Sequence, residues 1–211
     1  MAVTLYYGSG SPYAWRVWLA LEHKKIPYEF KLLSFDAGDH RKPDFLKLNP
    51  RGKVPLLTDG DFALAESSPI LEYIAERWPD GPTLFSADLR ERATQRRLIR
   101  ETDVYVKKVI DEMVEPLMTG KADAGALAES IAAVKAELAR WETEVSGDWL
   151  VGDLSAADFT LYPFAAMIGR IEQRRPGTMP ADIFTPKLGA WVKRMEALPI
   201  VPKTRPPHWK K

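Results

Sequence analysis

The chain has 211 residues and no cysteine. That absence excludes disulfides, thiolate metal sites and a cysteine nucleophile, and it accords with a reducing compartment. Long apolar runs are missing as well. No stretch approaches the ~20 residues of a membrane helix, and the start MAVTLYYGSGSPY lacks the basic opening and apolar run of a signal peptide. Excess charge of one sign is also missing: 30 Lys and Arg stand against 29 Asp and Glu, a net charge of +1. Neither nucleic acid nor a membrane surface is therefore expected as the main partner. There is no Ser/His/Asp motif, internal repeat or low-complexity segment. The expectation is a soluble cytoplasmic protein, 45% hydrophobic and able to bury real cores.

The two halves read differently. Residues 1–79 alternate short apolar runs with helical patterns. Strands are expected at 3–7 and 28–33, and helices at 11–24 and 43–48. A hairpin over 54–58 and 62–64 is signalled by Asp59-Gly60, and a closing helix spans 67–78. The order β-α-β-α-β-β-α gives a small mixed sheet with helices on its faces, an α/β domain. Pro79-Asp80-Gly81-Pro82 opens a linker over 80–86. Residues 87–211 read as an all-α helical bundle, with helices at 86–118 (ended or kinked at Pro116), 124–145, 155–171 and 187–198. Four prolines after residue 198 argue against a regular helix in the tail. His208-Trp209 either folds over a site mouth or stays disordered.

Ser11-Pro12 opens the first helix: serine is a favoured N-cap, and proline suits the first helical position. Capping alone would account for Ser11. A helix N-terminus after the first strand of an α/β sheet is also where ligands bind, and its dipole favours anions, thiolates included. Gly8-Ser9-Gly10 lets the backbone approach a ligand closely.

The string Ser11-Pro12-Tyr13-Ala14-Trp15-Arg16-Val17 resembles the active-site segment of serine-type glutathione transferases, theta- or zeta-like and of bacterial type. The resemblance continues at Asn49-Pro50-Arg51-Gly52-Lys53-Val54-Pro55-Leu56-Leu57, which is similar to the loop and third strand of the thioredoxin-like half of that family. It implies a cis Val54-Pro55 bond and a backbone at Val54 that takes the cysteinyl part of glutathione. Glu66-Ser67 resembles the segment that holds the γ-glutamyl end, and Gly38-Asp39-His40-Arg41 resembles the stretch whose histidine binds the glycine carboxylate, with Lys53 sharing that role. On this resemblance Ser11 activates the thiol, and His40, Lys53, Val54, Pro55, Glu66 and Ser67 bind glutathione. Ser9, Tyr6 and Tyr7 remain rival hydroxyls.

Glutathione is then a co-substrate and no metal is required. The expected activity is conjugation to a small hydrophobic electrophile, with isomerisation, dehalogenation or non-catalytic ligand binding as alternatives. A homodimer is implied as well. The electrophile is expected between the halves, with Tyr7, Tyr13, Tyr105, Val109 and Met113 as candidate walls. The spacing of the last three by four residues reads as helix core. Leu154-Ser155-Ala156-Ala157-Asp158-Phe159 reads as a capping box that supports the fold and carries no chemistry.

Overall fold

The computed structural model describes residues 3–120 and 123–209; residues 210 and 211 of the tail, like 1–2 and 121–122, lie outside the described residues. The chain divides into two compact units, Met1–Phe85 with Leu198–Lys211, and Ser86–Ala197.

In the first unit, β1 (Val3–Gly8), α1 (Pro12–His23), β2 (Tyr28–Leu33), α2 (Pro43–Leu48), β3 (Leu56–Asp59), β4 (Phe62–Ala65) and α3 (Ser67–Arg77) follow one another as the periodicities require. A single 3-10 turn, Asp39–Arg41, precedes α2. The sheet runs β2-β1-β3-β4. The β1–β2 pair is parallel, and β1–β3 and β3–β4 are antiparallel. β1 is central and covered by helices, so it is buried along nearly its whole length and does not alternate. Leu5, Leu56 and Leu57 meet Val17, Leu21, Ile70 and Ile74 in a core with almost no solvent exposure. This is the expected thioredoxin-like α/β unit.

In the second unit, α4 (Leu89–Glu101) continues through a π-helical stretch, Thr102–Val106, into α5 (Lys107–Thr119). Pro116 neither ends α5 nor stands at its terminus; the helix runs past it and stops at Gly120, whose φ of 69° suits a left-handed C-terminal residue. α6 (Ala124–Arg140), α7 (Ala156–Arg174) and α8 (Pro186–Ala197) complete the all-α unit. The capping box at the start of α7 is complete: Ser155 and Asp158 bond reciprocally. No helix among the described residues is long and apolar enough to cross a membrane.

The tail departs from the sequence expectation twice. It forms a short helix, α9 (Ile200–Thr204), despite Pro202. That proline stands in the first turn, where an amide hydrogen has no helical partner to lose. It also clusters with the first unit, although the sequence grouped residues 87–211 together. Tertiary contacts decide this: Val201 and Thr204 are fully buried, and the Trp15 indole donates to Thr204 Oγ1 at 2.9 Å.

Candidate functional site

Strand register gathers the site at one end of the sheet. Leu56 pairs with Tyr6 of β1 and with Ala65 of β4. The segment just before Leu56, Val54-Pro55, therefore lies beside the carboxyl end of β1, and Glu66 follows the paired Ala65 at the same end. The Val54-Pro55 peptide bond is cis. Asn49, itself buried, shapes the approach: its Nδ2 donates to the Lys53 carbonyl at 2.7 Å and its Oδ1 accepts from Arg51 N at 3.1 Å.

The turn from β1 into α1 is tight. Ser11 N donates to Gly8 O at 3.0 Å, and Gly10 sits at φ 89°, a conformation that glycine adopts without penalty. Ser11 is the N-cap of α1, and its Oγ accepts from Ala14 N at 3.2 Å. The hydroxyl hydrogen is not used in that bond, so Ser11 can cap the helix and donate outward at once.

The tyrosines are less suitable donors. Tyr7 is fully buried; desolvation pushes its pKa up to about 12, and its hydroxyl oxygen accepts from Gly10 N at 3.3 Å. Tyr6 accepts from Lys31 Nζ at 3.4 Å and packs on Phe45. The Ser9 hydroxyl is hydrogen-bonded to His208 Nδ1 at 2.6 Å.

At the start of α3, Glu66 is held at φ 70° and ψ 115°. A non-glycine residue in such a sparsely populated region costs of order 1–3 kcal/mol, and such strain gathers at functional sites. Ser67 behind it is buried. Arg16, fully buried, ties the two helix starts together: its Nη1 donates to Ser68 Oγ at 3.4 Å, and its guanidinium lies 4.8 Å from the Tyr13 ring centre. Nothing local in the sequence marked this contact, because the partner lies 52 residues away.

His40 belongs to the 3-10 turn before α2. Its Nε2 accepts from Arg41 Nε at 3.2 Å, while its buried Nδ1 has no hydrogen-bond partner among the described residues. A ring with an acceptor Nε2 carries its proton on Nδ1, so the orphan atom is an unsatisfied donor, and the ring must turn outward before that donor can meet a ligand carboxylate. Phe35 packs edge-on to this ring at 5.2 Å and covers Gly8, where a Cβ would fall 2.2 Å from the Phe35 ring. Gly52, at φ 58°, lies so close to the His40 carbonyl that a Cβ there would be 3.0 Å from its oxygen. These two close approaches draw His40 and the Lys53 segment to the same end as Ser11. Lys53 is exposed.

The candidate walls divide differently. Met113 is fully buried, as its spacing implied, and Tyr7 is equally buried, so neither can line an open pocket. Tyr105 is 56% exposed and not core. It lines a cavity of about 450 Å³ within the helical unit, with Glu101, Glu137, Arg140, Trp141 and Glu144. Among the described residues no three His, Asp or Glu side chains are grouped as a metal site would require.

A thioredoxin-like α/β unit with a hydroxyl-capped helix beside a cis Val-Pro segment, followed in the chain by an all-helical unit, defines a class of thiol-handling two-domain proteins. Comparison with known proteins specifies it. Residues 10–77 match the family model "Glutathione S-transferase, N-terminal domain", and residues 102–199 match "Glutathione S-transferase, C-terminal domain". Glutathione S-transferase 3 of Zea mays is 32% identical over 209 residues, covering 92% of this chain and 89% of that one. Maleylacetoacetate isomerase of Pseudomonas aeruginosa is 41% identical over 100 residues, 46% of this chain and 45% of the relative. The crystal structure of a glutathione S-transferase from the Antarctic clam Laternula elliptica superposes with a TM-score of 0.84 at 32% identity, covering 100% of this chain and 95% of the other. The chain belongs to the glutathione S-transferase family and is a transferase enzyme of that family.

Proposed function

We propose that this transferase binds glutathione at the carboxyl end of β1 and activates its thiol with the Ser11 hydroxyl, making it serine-type. The observation that carries this is the position of Ser11 as N-cap of α1, with its oxygen engaged by Ala14 N and its hydrogen not used there. A free thiol has a pKa near about 8.5, and lowering it by about two units takes about 2.7 kcal/mol. A hydrogen bond to a charged acceptor supplies about 1.5–3 kcal/mol, and a helix N-terminus adds about 0.3–1 kcal/mol. No charged base is needed. Ser11 donates to the thiolate and is not a nucleophile.

The remaining residues match the other polar groups of the tripeptide. The amides at the start of α3, beside Ser67, suit the γ-glutamyl carboxylate, and Glu66 suits its ammonium group. The backbone of Val54, set by Pro55, pairs with the cysteinyl part as an added strand would. The His40 donor and Lys53 take the glycine carboxylate. The product is a conjugate with a small hydrophobic electrophile. A cytoplasmic homodimer without a metal completes the reading, carried by family membership.

The test is the pKa of bound glutathione, followed by ultraviolet thiolate absorbance. In Ser11→Ala it rises by about one to two units and turnover falls at least about tenfold, with glutathione affinity nearly kept. An unchanged thiol pKa sinks the assignment. A second reading follows from the Pseudomonas aeruginosa relative: the same thiolate would serve isomerisation, in which sulfur adds and then leaves. Glutathione is consumed in conjugation and recovered in isomerisation, so product analysis separates the two; binding without turnover would mark a carrier.

A further inference from the structure

The conjugation chemistry above makes no use of the hydrogen bond between Ser9 Oγ and His208 Nδ1 at 2.6 Å. It joins residues 199 positions apart, so it exists only because the tail crosses the first unit. The crossing is firmly anchored. Thr204 Oγ1 receives the Trp15 indole hydrogen, Lys203 Nζ pairs with Glu22 Oε2 at 2.5 Å, and Trp209 stands edge-on to Trp15 at 5.3 Å. Beyond that foot, His208 is exposed and leans over the turn that precedes Ser11. A Cβ placed on Gly10 would lie 2.9 Å from His208 Cε1.

This tether adds to two bonds already in the turn, Ser11 N to Gly8 O at 3.0 Å and Gly10 N to the Tyr7 hydroxyl at 3.3 Å, neither of which holds the Ser9 side chain. Gly8-Ser9-Gly10 contains two glycines, and glycine leaves more backbone freedom to be lost than any other residue. Ser11 follows directly. A hydrogen bond from its hydroxyl to a thiolate weakens steeply with misalignment, so any freedom in the turn is freedom in the activating group. We propose that His208 is a positioning residue of the thiol site: by holding Ser9, it fixes the Gly8–Ser11 turn and keeps the Ser11 hydroxyl aimed at the sulfur of bound glutathione. The inference rests on the assignment of Ser11 as thiol donor. It makes the tail at His208 part of the activating apparatus, with Ser9 as its point of contact and not as a second thiol donor.

The test compares full-length wild type with Ser11→Ala, Ser9→Ala, His208→Ala, His208→Asn and the Ser9→Ala/His208→Ala double variant. Glutathione-bound thiol pKa and the separate kcat and KM for glutathione are measured in each. In His208→Ala the bound thiol pKa rises by about half to one unit, which is a threefold to tenfold loss of thiolate well below that pKa. The loss appears in kcat with KM nearly unchanged. Asparagine can place a hydrogen-bonding atom near the Nδ1 position, so His208→Asn recovers most of it. The double variant matches the single ones, because both remove one contact.

Circular dichroism reads folding; the exposed His208 side chain is not part of the core, so the variants keep the wild-type spectrum. If Ser11→Ala raises the thiol pKa while His208→Ala leaves it unchanged, the positioning role is overturned and the Ser11 assignment stands. Additive losses in the double variant, or no recovery in His208→Asn, also overturn it. A wild-type enzyme whose bound thiol keeps its free pKa overturns both.

Discussion

Asp158 offers the sharpest quantitative test of how the helical unit is held. It is fully buried at the third position of α7 and collects four donors. Oδ1 accepts from Leu150 N at 3.0 Å and from the Trp191 indole at 2.8 Å; Oδ2 accepts from Ser155 N at 2.9 Å and from Ser155 Oγ at 3.0 Å. Burial pushes its carboxyl above the usual range, and the four donors oppose that rise. Asp158→Ala strands three N–H groups: two amides and an indole. The Ser155 hydroxyl can rotate away. A buried donor left unsatisfied costs about 1–3 kcal/mol, so the loss is about 3–9 kcal/mol. That is comparable to the whole stability of a typical domain, about 5–15 kcal/mol.

Asp158→Asn separates charge from geometry. Its oxygen serves the Leu150 and Trp191 donors, and its amide faces the Ser155 N–H. One donor is stranded, for about 1–3 kcal/mol. Urea unfolding followed by tryptophan fluorescence gives both values. The expected order is wild type, then Asn, then Ala, with Ala worse than Asn by at least about 2 kcal/mol, the cost of the two further donors. A loss below about 1 kcal/mol for Asp158→Ala, or equal losses for both variants, refutes the donor-satisfaction argument.

Other expectations concern the glutathione site and its surroundings. Glu66→Gly relieves about 1–3 kcal/mol of backbone strain against a glycine entropy cost of about 0.5–1 kcal/mol. Urea stability therefore holds or rises while calorimetric glutathione affinity falls at least about tenfold; a parallel loss of stability contradicts a functional origin of the strain. Gly52→Ala forces a side chain into left-handed backbone against the His40 carbonyl, at about 1–2 kcal/mol, and raises KM for glutathione with kcat little changed. Tyr7→Phe removes only a 3.3 Å bond to Gly10 N of the turn, so the bound thiol pKa rises by no more than the about half to one unit expected for His208→Ala; a rise as large as that in Ser11→Ala would reinstate a tyrosine donor.

His23, in the last turn of α1, has its pKa lowered by burial, against the raising effect of its Thr83 carbonyl bond. The unfolded chain therefore binds this proton first, and stability present above the ordinary histidine value of about 6.5 is lost as pH falls below it. His23→Gln flattens the urea midpoint between about pH 7 and pH 5.5 relative to wild type.

Much of this protein was legible locally. Periodicity, proline and glycine placed β1, α1, β2, α2 and α3 closely, because each carries its own apolar spacing and stop signal. The capping box at Ser155 and Asp158 lies within four residues of chain, so sequence alone specifies it. Ser11 as a helix cap was readable for the same reason. Its reading as a thiol donor, like those of the Val54-Pro55 and Glu66-Ser67 segments, came from resemblance to a family.

Tertiary structure decided what depends on distant chain. Only the register of β1, β3 and β4 puts the segments around Ser11, Val54 and Glu66 at one sheet end. Only the close approaches at Gly8 and Gly52 bring His40 there. The prolines at 199, 202, 206 and 207 argued against a regular helix in the tail, because local propensity counts lost amide bonds and not buried surface. Burial of Val201 and Thr204 against the first unit, with the Trp15 bond, overrides that propensity. α5 likewise runs through Pro116 and ends at Gly120, with the flanking Met113 and Leu117 buried. Sequence by itself determined which elements form and where most of them begin. Packing and pairing across long separations determined which side chains meet, because a hydrogen bond such as that between Ser9 and His208 has no signature in the residues between them.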